Sequence, residues 1–275
     1  MNLLFADLDN TLIYSYKHDI GVKKRCVEIC QGREISFITE KTYRLLQTVM
    51  KQMLLIPVTT RTVEQYSRIQ LGIGNIRHAL ACNGGVLLTD GKTDEAWYRQ
   101  SLKLVEESRQ ELEKAAFYLE RDTGRTLEVR DIAKLFVFTK HRAAQNAVQY
   151  LRERLNPKLI DVFQNGEKIY AVPKNLNKGM ALNRMKERLN IRDTVMASGL
   201  QKAAVPAGKR EKSAVIFAAG DSEFDIPLLE QADAAAVPGG GIGSLSLSQG
   251  ICRMPGKAVF SEELLEFVLG NQVKS

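Results

Sequence analysis

The sequence has few of the residues on which disulfide frameworks and zinc sites depend. Its 275 residues include only four cysteines and three histidines. No two cysteines have C-x-x-C spacing and the histidines are scattered, so both kinds of site are disfavoured and free, buried or half-buried thiols are expected. The residues concerned are Cys26, Cys30, Cys82 and Cys252, with His18, His78 and His141.

A long apolar run is also absent. No stretch approaches the roughly 20 apolar residues of a membrane-spanning helix. The chain begins with a strand-like run rather than with a basic segment followed by a signal-peptide apolar region. Cytoplasmic residence without a membrane partner is therefore expected. The hydrophobic fraction of 44% is sufficient for a sizeable core, so no disulfide or cofactor is needed to hold it.

Acidic residues are outnumbered, and the formal net charge is +7. The basic residues are nevertheless spread along the chain, with local clusters only at Lys23-Lys24-Arg25 and Lys209-Arg210-Glu211-Lys212. This pattern is typical of solvated faces, or of attraction for anionic small molecules, and it does not establish a nucleic-acid partner.

Two apolar runs end in paired acidic residues. The first, Leu3-Leu4-Phe5-Ala6, leads into Asp7 and Asp9. A regular strand over 3–9 would point both carboxylates to the same side. Such a pair repels unless a cation or a shared proton intervenes, and Mg²⁺ is the natural partner of carboxylate oxygens.

The second run, 213–219, ends in Gly220-Asp221, and Asp225 follows one helical turn later. A single acidic pair near a turn could simply solvate a strand end. Two acid-tipped apolar strands in one chain are hard to explain as solvation. Because ligands of open α/β sheets bind at the carboxyl ends of the strands, the pattern predicts a site there.

These segments resemble the first and fourth motifs of the haloacid dehalogenase-like phosphohydrolases, Asp7-Leu8-Asp9-Asn10-Thr11-Leu12 and Gly220-Asp221-Ser222-Glu223-Phe224-Asp225. The two intermediate motifs are also found. Thr59 follows the apolar run 54–58 and matches the second motif, and Lys178 opens a helical segment and matches the third. All four motifs occur in the family's order.

The resemblance implies roles for the motif residues. Asp7 would be the nucleophile, forming an aspartyl-phosphate, and Asp9 would serve as acid and then base. Lys178 would supply a fixed positive charge, and Thr59 would donate its hydroxyl to a phosphoryl oxygen. An isolated lysine or threonine is usually only a solvated residue, but the order of the motifs favours the functional interpretation.

The resemblance also implies a Mg²⁺ site, formed by Asp7, Asp221, Asp225 and the backbone carbonyl of Asp9. Glu223 and Phe224 differ from many relatives, which often have Asn before the last aspartate.

Four further residues are candidates for substrate binding: Thr60, Arg61, Asn83 and Gly84. Arg61 follows the Thr59 strand and could bind an anionic substrate or support the loop. Asn83 and Gly84 end the apolar segment 78–82, which predicts a third core strand. They would lie near the catalytic edge, but a simple turn is an equal alternative.

The order of the predicted elements indicates an α/β fold with a Rossmann-like parallel-sheet core. A β-hairpin is predicted from Arg25 to Ile38, as a flap beside the acidic strand end. Helices are predicted over 40–53, after Thr62 (a capping box with Gln65), from Lys178, through 228–229 and over 261–269, with a short strand at 234–237. Residues 239–243 are glycine-rich and predict a turn rather than a dinucleotide loop, and 199–213 predict a solvated basic loop.

Between the second and third motifs, residues 86–172 follow a different pattern. It predicts a helix over 101–119, strands over 126–132 and 135–139, a helix over 143–155, and a hairpin of 159–163 and 168–172 around Asn165-Gly166. This α+β unit is predicted to be an inserted cap domain on a core of 1–85 and 173–275. The insertion position resembles the branch with sucrose-phosphate, trehalose-phosphate and phosphoglycolate-type sugar-phosphate phosphatases and phosphomannomutase.

The resulting hypothesis is a Mg²⁺-dependent phosphatase acting on a small phosphorylated metabolite, such as a sugar or polyol phosphate. A phosphomutase that returns phosphate to its substrate is the enzymatic alternative. A phosphate-sensing or scaffold protein is the non-catalytic one, although every candidate catalytic residue is retained. A nucleic-acid end phosphatase is disfavoured because a large cap would obstruct a polymer. Candidate cap contacts are Arg130, Lys134 and Lys168.

Overall fold

The protein is described here from a computed structural model, over residues 2–191, 214–240 and 251–271. The predicted basic loop at 199–213, and residues 241–243 of the glycine-rich segment, lie outside these ranges. Within them, no helix is both long enough and apolar enough to cross a membrane.

Strands and helices are numbered along the chain. The strands are β1 (Asn2–Ala6), β2 (Tyr14–Ser15), β3 (Lys24–Cys30), β4 (Arg33–Thr39), β5 (Met53–Pro57), β6 (His78–Ala81), β7 (Val86–Thr89), β8 (Lys92–Thr93), β9 (Arg130–Ile132), β10 (Phe136–Lys140), β11 (Ile160–Asn165), β12 (Lys168–Pro173), β13 (Ile216–Ala219), β14 (Ala234–Val237) and β15 (Ile251–Arg253). The helices are α1 (Glu40–Gln52), α2 (Val63–Ser67), α3 (Glu95–Leu104), α4 (Arg109–Arg121), α5 (Ala144–Arg152), α6 (Lys178–Arg188), α7 (Ile226–Leu229) and α8 (Phe260–Gly270).

A five-stranded parallel sheet forms the core, in the order β15-β14-β13-β1-β5. Leu4 and Ala6 of β1 pack on one face, in a cluster that includes residues of α1 and α8. Leu3 and Phe5 pack on the other, with residues of α6 and α7. Because both faces are covered, these strands are apolar throughout rather than alternating. The predicted α/β core is confirmed.

A second, antiparallel sheet has the order β11-β12-β10-β9 and belongs to the segment between the second and third motifs. Alternate residues such as Val137 and Ala171 pack against α4 and α5. The Asn165–Lys168 pair closes the β11–β12 hairpin, with Gly166 at a φ of 58° as this turn requires. The predicted helix-and-hairpin cap architecture is confirmed.

The single helix predicted over 101–119 is wrong. The chain forms α3 and α4, separated by Val105 and a 3-10 turn at Glu106–Ser108. The Asp94 carboxylate accepts from the Trp97 backbone N–H and starts α3 earlier than predicted. Val105 is fully buried at the break, so the redirection of the chain is stabilised by packing that helical periodicity does not reveal.

The third core strand predicted from the 78–82 segment is also placed differently. β6 pairs antiparallel with β7, in a separate sheet of order β6-β7-β8. It adjoins the parallel sheet through the Val58–Leu80 bridge, just beyond β5. A tight 3-10 turn at Cys82–Gly84, with positive φ at all three residues, reverses the chain and lets β7 occupy the free edge of β6.

The flap hairpin of β3 and β4 is present as predicted, and β2 adds a third strand to it. Its turn is formed by Gln31 and Gly32, both at positive φ. The capping box at Thr62 and Gln65 is also present and begins α2. Both elements lie beside the carboxyl end of β1, where they contribute to the site.

Candidate active site

The loop after β1 separates the two aspartates of the first motif. The predicted strand 3–9 ends at Ala6, and Asn10 has a φ of 58° in the turn that follows. Because the backbone leaves the extended conformation, the two carboxylates take different partners. Asp7 contacts Lys178, and Asp9 contacts Arg61. The loop therefore serves two separate charge clusters.

Lys178 is the first residue of α6, whose N-cap is Asn177. Its ammonium donates to Asp7 Oδ1 at 2.6 Å and to Asp225 Oδ1. The lysine is only 1% exposed. The third motif thus places a fully buried cation between the acids of the first and fourth motifs.

Asp225 is held by donors on both carboxylate oxygens. Oδ1 accepts from Lys178, and Oδ2 accepts from the backbone N–H groups of Asp221 and Ser222 and from the Ser222 hydroxyl. A Cβ at Gly220 would lie 2.2 Å from the Asp225 side chain, so a glycine is needed before Asp221. Asp225 therefore fixes the fourth-motif loop and the position of Lys178.

Asp221 is less constrained. Its Oδ2 accepts from the Asn10 side chain at 3.1 Å. Burial, followed by the negative charge of Asp225, raises the pKa of Asp221 to about 6. Burial also raises the pKa of Asp7 well above its usual value, against the favourable effect of Lys178. Burial alone would lower the pKa of Lys178, but Asp225 and Asp7 raise it instead.

The cluster has the donor set of a divalent-cation site. Asp7, Asp221 and Asp225 each offer an oxygen within 4.8 Å of the others. Three carboxylates against the single Lys178 ammonium leave a formal charge of −2 when all are ionised. A bound cation such as Mg²⁺ would offset both the burial and the mutual repulsion that raise the pKa values of Asp7 and Asp221. The residues present fit that ion, with Asp7 and Asp221 having the oxygens least committed to protein donors.

A second cluster lies on the other side of the Asp7–Asp9 loop. Arg61 binds Asp9 through two parallel hydrogen bonds of 2.8 and 2.7 Å. Its remaining nitrogen lies 2.8 Å from Glu28 of the flap. Glu28 is completely buried and also binds Ser36 and Arg68. Arg61 is thus clamped between the first-motif acid and the flap.

This clamp was not predicted beyond Arg61 itself. Glu28 alternates with apolar neighbours in β3, and that pattern is typical of a solvated hairpin face. Only the placement of the flap over α2 brings Arg61 and Arg68 to it. Desolvation alone would raise the pKa of Asp9, but the hydrogen bond and the charge of Arg61 outweigh it and lower the pKa. Asp9 is therefore an ionised carboxylate in this conformation.

Of the remaining predicted residues, some lie in the site and others pack the turn beside it. Thr59 is buried, and its hydroxyl accepts from the Arg61 backbone N–H at 3.1 Å. Asn83 donates its backbone N–H to the Thr59 carbonyl and its side chain to the Leu176 carbonyl. A Cβ at Gly84 would lie 2.3 Å from the Ala181 Cβ. Asn83 and Gly84 thus pack the turn against α6, whereas Thr60 lines the cavity described next.

A cavity of about 340 Å³ opens beside Asp9, Thr60 and Arg61. The flap and α2 form one side, and the face of the four-stranded sheet opposite α4 and α5 forms the other. That face carries aromatic side chains: Phe136, Phe138 and Tyr170. Of the three candidate cap contacts, Arg130 and Lys168 line the cavity and Lys134 does not.

Phe224 of the fourth motif connects the two sheets. Its ring centroid lies 4.3 Å from that of Phe163 and 5.0 Å from that of Tyr170. The side chain of this unusual motif residue therefore packs on the cap sheet, while the neighbouring Asp225 binds Lys178. The aromatic face is held directly against the acidic loop.

Comparison with known proteins finds a family match over part of the chain. A family model for haloacid dehalogenase-like hydrolases matches residues 91–202. No curated protein matches the chain.

Several solved structures share the fold over almost the whole chain. The sucrose-phosphatase from Synechocystis, solved with sucrose and phosphate, has a TM-score of 0.65, covering 98% of this chain and 97% of its own. A HAD/COF-like hydrolase from Plasmodium vivax has a TM-score of 0.59, with 99% and 96% covered. A superfamily phosphatase from Bacteroides thetaiotaomicron has a TM-score of 0.54, with 98% and 94% covered. Each is 14% identical, so these likenesses show the fold.

Proposed function

We propose that the chain belongs to the haloacid dehalogenase-like hydrolases, whose family model matches residues 91–202. We further propose that it is a Mg²⁺-dependent phosphatase of a small phosphorylated metabolite, a sugar or polyol phosphate. The carrying observation is the buried cluster of Asp7, Lys178, Asp221 and Asp225, formed by three of the four motifs. The excess negative charge would bind Mg²⁺ beside the buried lysine. Two such cations suit phosphoryl transfer, because neutralising the charge of the phosphoryl group provides most of the catalysis.

In the first proposed step an Asp7 oxygen attacks phosphorus, and the bond from phosphorus to the leaving oxygen breaks. Asp9 provides the proton that this oxygen takes up. In the second step water attacks the aspartyl-phosphate, Asp9 accepts the proton of water, and the Asp7–phosphorus bond breaks to release phosphate. Asp9 must carry a proton for the first step, so its ion pair with Arg61 must first weaken. An entering phosphate, itself anionic, would compete with Asp9 for that guanidinium.

The other residues position and neutralise. Lys178 keeps Asp7 oriented and offsets charge on the phosphoryl oxygens, and Asp225 keeps Lys178 in place. Thr59 offers its hydroxyl at the end of β5. Asp7, Asp221 and the Asp9 backbone carbonyl would hold Mg²⁺, which would offset negative charge on nucleophile and phosphate. Direct coordination by Asp225 stays a prediction, since its oxygens already accept from protein donors.

We propose residues 1–85 and 173–275 as the catalytic core and 86–172 as the cap. Within the cap, β7 and β8 pair with β6, so the part that covers substrate is assigned to α4 through β12. The cavity between this unit and the flap is bounded on two sides, which supports a small substrate over a polymer. Cytoplasmic location stays a prediction.

The test is a phosphatase screen of the purified chain over a panel of phosphorylated metabolites, with Mg²⁺ and with excess chelator. Metal-dependent release of inorganic phosphate without a sugar-bisphosphate activator is expected. Transfer of phosphate to a second position of the substrate would instead favour the phosphomutase. Binding of phosphorylated ligands with no turnover, equal in the wild type and in Asp7→Asn, would favour a sensing protein.

A further inference from the structure

Two lysines face each other across the cap sheet. Lys140 of β10 and Lys168 of β12 are register partners. Directly opposed residues of an antiparallel pair have Cβ atoms about 4.5–5.5 Å apart, and like charges in that position destabilise the sheet. Stability of the fold alone therefore does not account for this pair.

Neither lysine forms a close ion pair within the part of the chain that the structure describes. The cavity contains five basic side chains, and three of them are paired: Arg61 and Arg68 with Glu28, and Arg130 with Glu128. Over the residues that the structure describes, Lys140 and Lys168 form no salt bridge. Among the five, the two cations that oppose each other are thus the two that form no salt bridge with a described residue.

Both lysines share the cavity with the candidate active site. Each stands two residues from an aromatic residue of the same face, Lys140 from Phe138 and Lys168 from Tyr170. Because a strand advances about 3.3 Å per residue, Lys168 lies about 7 Å along β12 from Tyr170, which packs on Phe224 of the acidic loop. The charge of Lys168 also acts on Asp9, lowering its pKa. One sugar ring or a short carbon chain can span such a distance.

We propose that Lys140 and Lys168 form a second anion-binding subsite, so that the substrate is a phosphomonoester carrying another anionic group, a carboxylate or a second phosphate. This inference rests on the proposed phosphatase function. The phosphate to be cleaved would lie at Asp7, the body of the substrate against the aromatic face, and the second anion between the lysines. Substrate binding would then supply the negative charge that the lysine pair lacks.

The test uses the full-length protein with Mg²⁺ and two matched substrate pairs. Glucitol 6-phosphate and 6-phosphogluconate differ by replacement of a hydroxymethyl group with a carboxylate. Fructose 6-phosphate and fructose 1,6-bisphosphate differ by a second phosphate. We expect kcat/KM to favour the acidic member of at least one pair by roughly tenfold or more, as for a hydrogen bond to a charged group. The pair that shows the preference identifies the anion.

The matched variants are Lys140→Met, Lys168→Met and the double variant, with Lys158→Met as control. Lys158 is an exposed lysine of the same cap unit that does not line the cavity. The double variant should lose most of its kcat/KM for the acidic member and much less for the neutral member of the same pair, and the control should retain the wild-type preference. Equal kcat/KM within both pairs for the wild type, or an equal loss on neutral and acidic members in the double variant, would overturn the subsite.

Failure of the phosphatase proposal would look different, with no Mg²⁺-dependent turnover of any phosphate, including p-nitrophenyl phosphate. The subsite is then decided by calorimetric binding of the same four compounds to Asp7→Asn, with and without the two lysine substitutions. Tighter binding of an acidic member that depends on the lysines would support it, and equal binding within both pairs would refute it.

Discussion

The two charge clusters on either side of the Asp7–Asp9 loop are organised in opposite ways. In the acidic centre, a single buried lysine faces three carboxylates, and negative charge is in excess. In the cavity, five basic side chains face Asp9 and Glu28, and positive charge is in excess. The two clusters lie on adjacent sides of one loop. A bound phosphomonoester would therefore have a cation-binding site at one end and an anion-binding site at the other.

The clusters also differ in their origin. The acidic centre is built from residues at the ends of core strands and the start of α6, whose positions follow from the parallel sheet. The cavity draws its side chains from the flap, from α2 and from the cap sheet, which are brought together only by tertiary packing. We therefore propose that the core carries the chemistry and that the added elements carry the selectivity.

The largest effect is expected for Asp7→Asn, which removes the proposed nucleophile of the acidic centre. Phosphate release should fall to below about one-thousandth of the wild-type rate, because no covalent intermediate can form. The fold should persist, since loss of carboxylate repulsion offsets loss of the Lys178 ion pair. Phosphate release and thermal unfolding measure the two parts. Appreciable turnover by a clean preparation would refute the assignment of the nucleophile.

Metal removal should come next. Excess chelator is expected to silence the wild-type enzyme, Mg²⁺ to restore it, and Ca²⁺ to support it poorly, because Ca²⁺ prefers more ligands and longer bonds. Asp221→Asn should weaken Mg²⁺ binding and raise the Mg²⁺ concentration that gives half of the maximal rate by about tenfold or more. Metal titrations of activity for both proteins provide the measurement. Full activity in chelator would contradict the metal site.

The clamp that joins the two clusters should have an intermediate effect. Arg61→Ala frees Asp9 from its bidentate partner, and we expect kcat to fall by about 10²-fold because the proposed acid–base group loses its orientation. Arg61→Lys keeps the charge but not the fork, and should recover only part of the loss. Glu28→Gln should act through Arg61 and reduce kcat less. Steady-state kinetics of the three variants give the order, and a wild-type kcat in Arg61→Ala would show that the clamp is only structural.

The smallest effect on chemistry is expected for Phe224→Ala, which removes the contact between the acidic loop and the cap sheet. Its side chain packs on Phe163 and Tyr170. We expect KM to rise several-fold with kcat changed less, and the free energy of unfolding to fall by about 2–4 kcal/mol. Phe163→Ala is the matched variant on the cap side. If Phe224→Ala lowered kcat as strongly as Asp221→Asn, the residue would belong to the reaction centre rather than to its connection with the cap.

Much of the fold could be predicted because the patterns that specify it are local. The apolar runs that become β1, β5 and β13, the capping box before α2 and the Asn165-Gly166 turn all act within a few residues of the chain. The break between α3 and α4 and the pairing of β6 with β7 could not be predicted in this way. Both depend on which surface a segment meets, and periodicity carries no information on that.

For the candidate site, the sequence by itself determined the reactive groups and their order: acids after two apolar strands, a hydroxyl after a third, and a lysine opening a helix. Parallel strands end at one edge of a sheet, so this order already brings Asp7, Thr59 and Asp221 near one another. Tertiary structure alone decided that Asp225 holds Lys178, that buried Glu28 clamps Arg61 on Asp9, and that Lys140 opposes Lys168. The energy of a buried or closely opposed charge depends on distances between residues far apart in the chain, and only the folded protein fixes those distances.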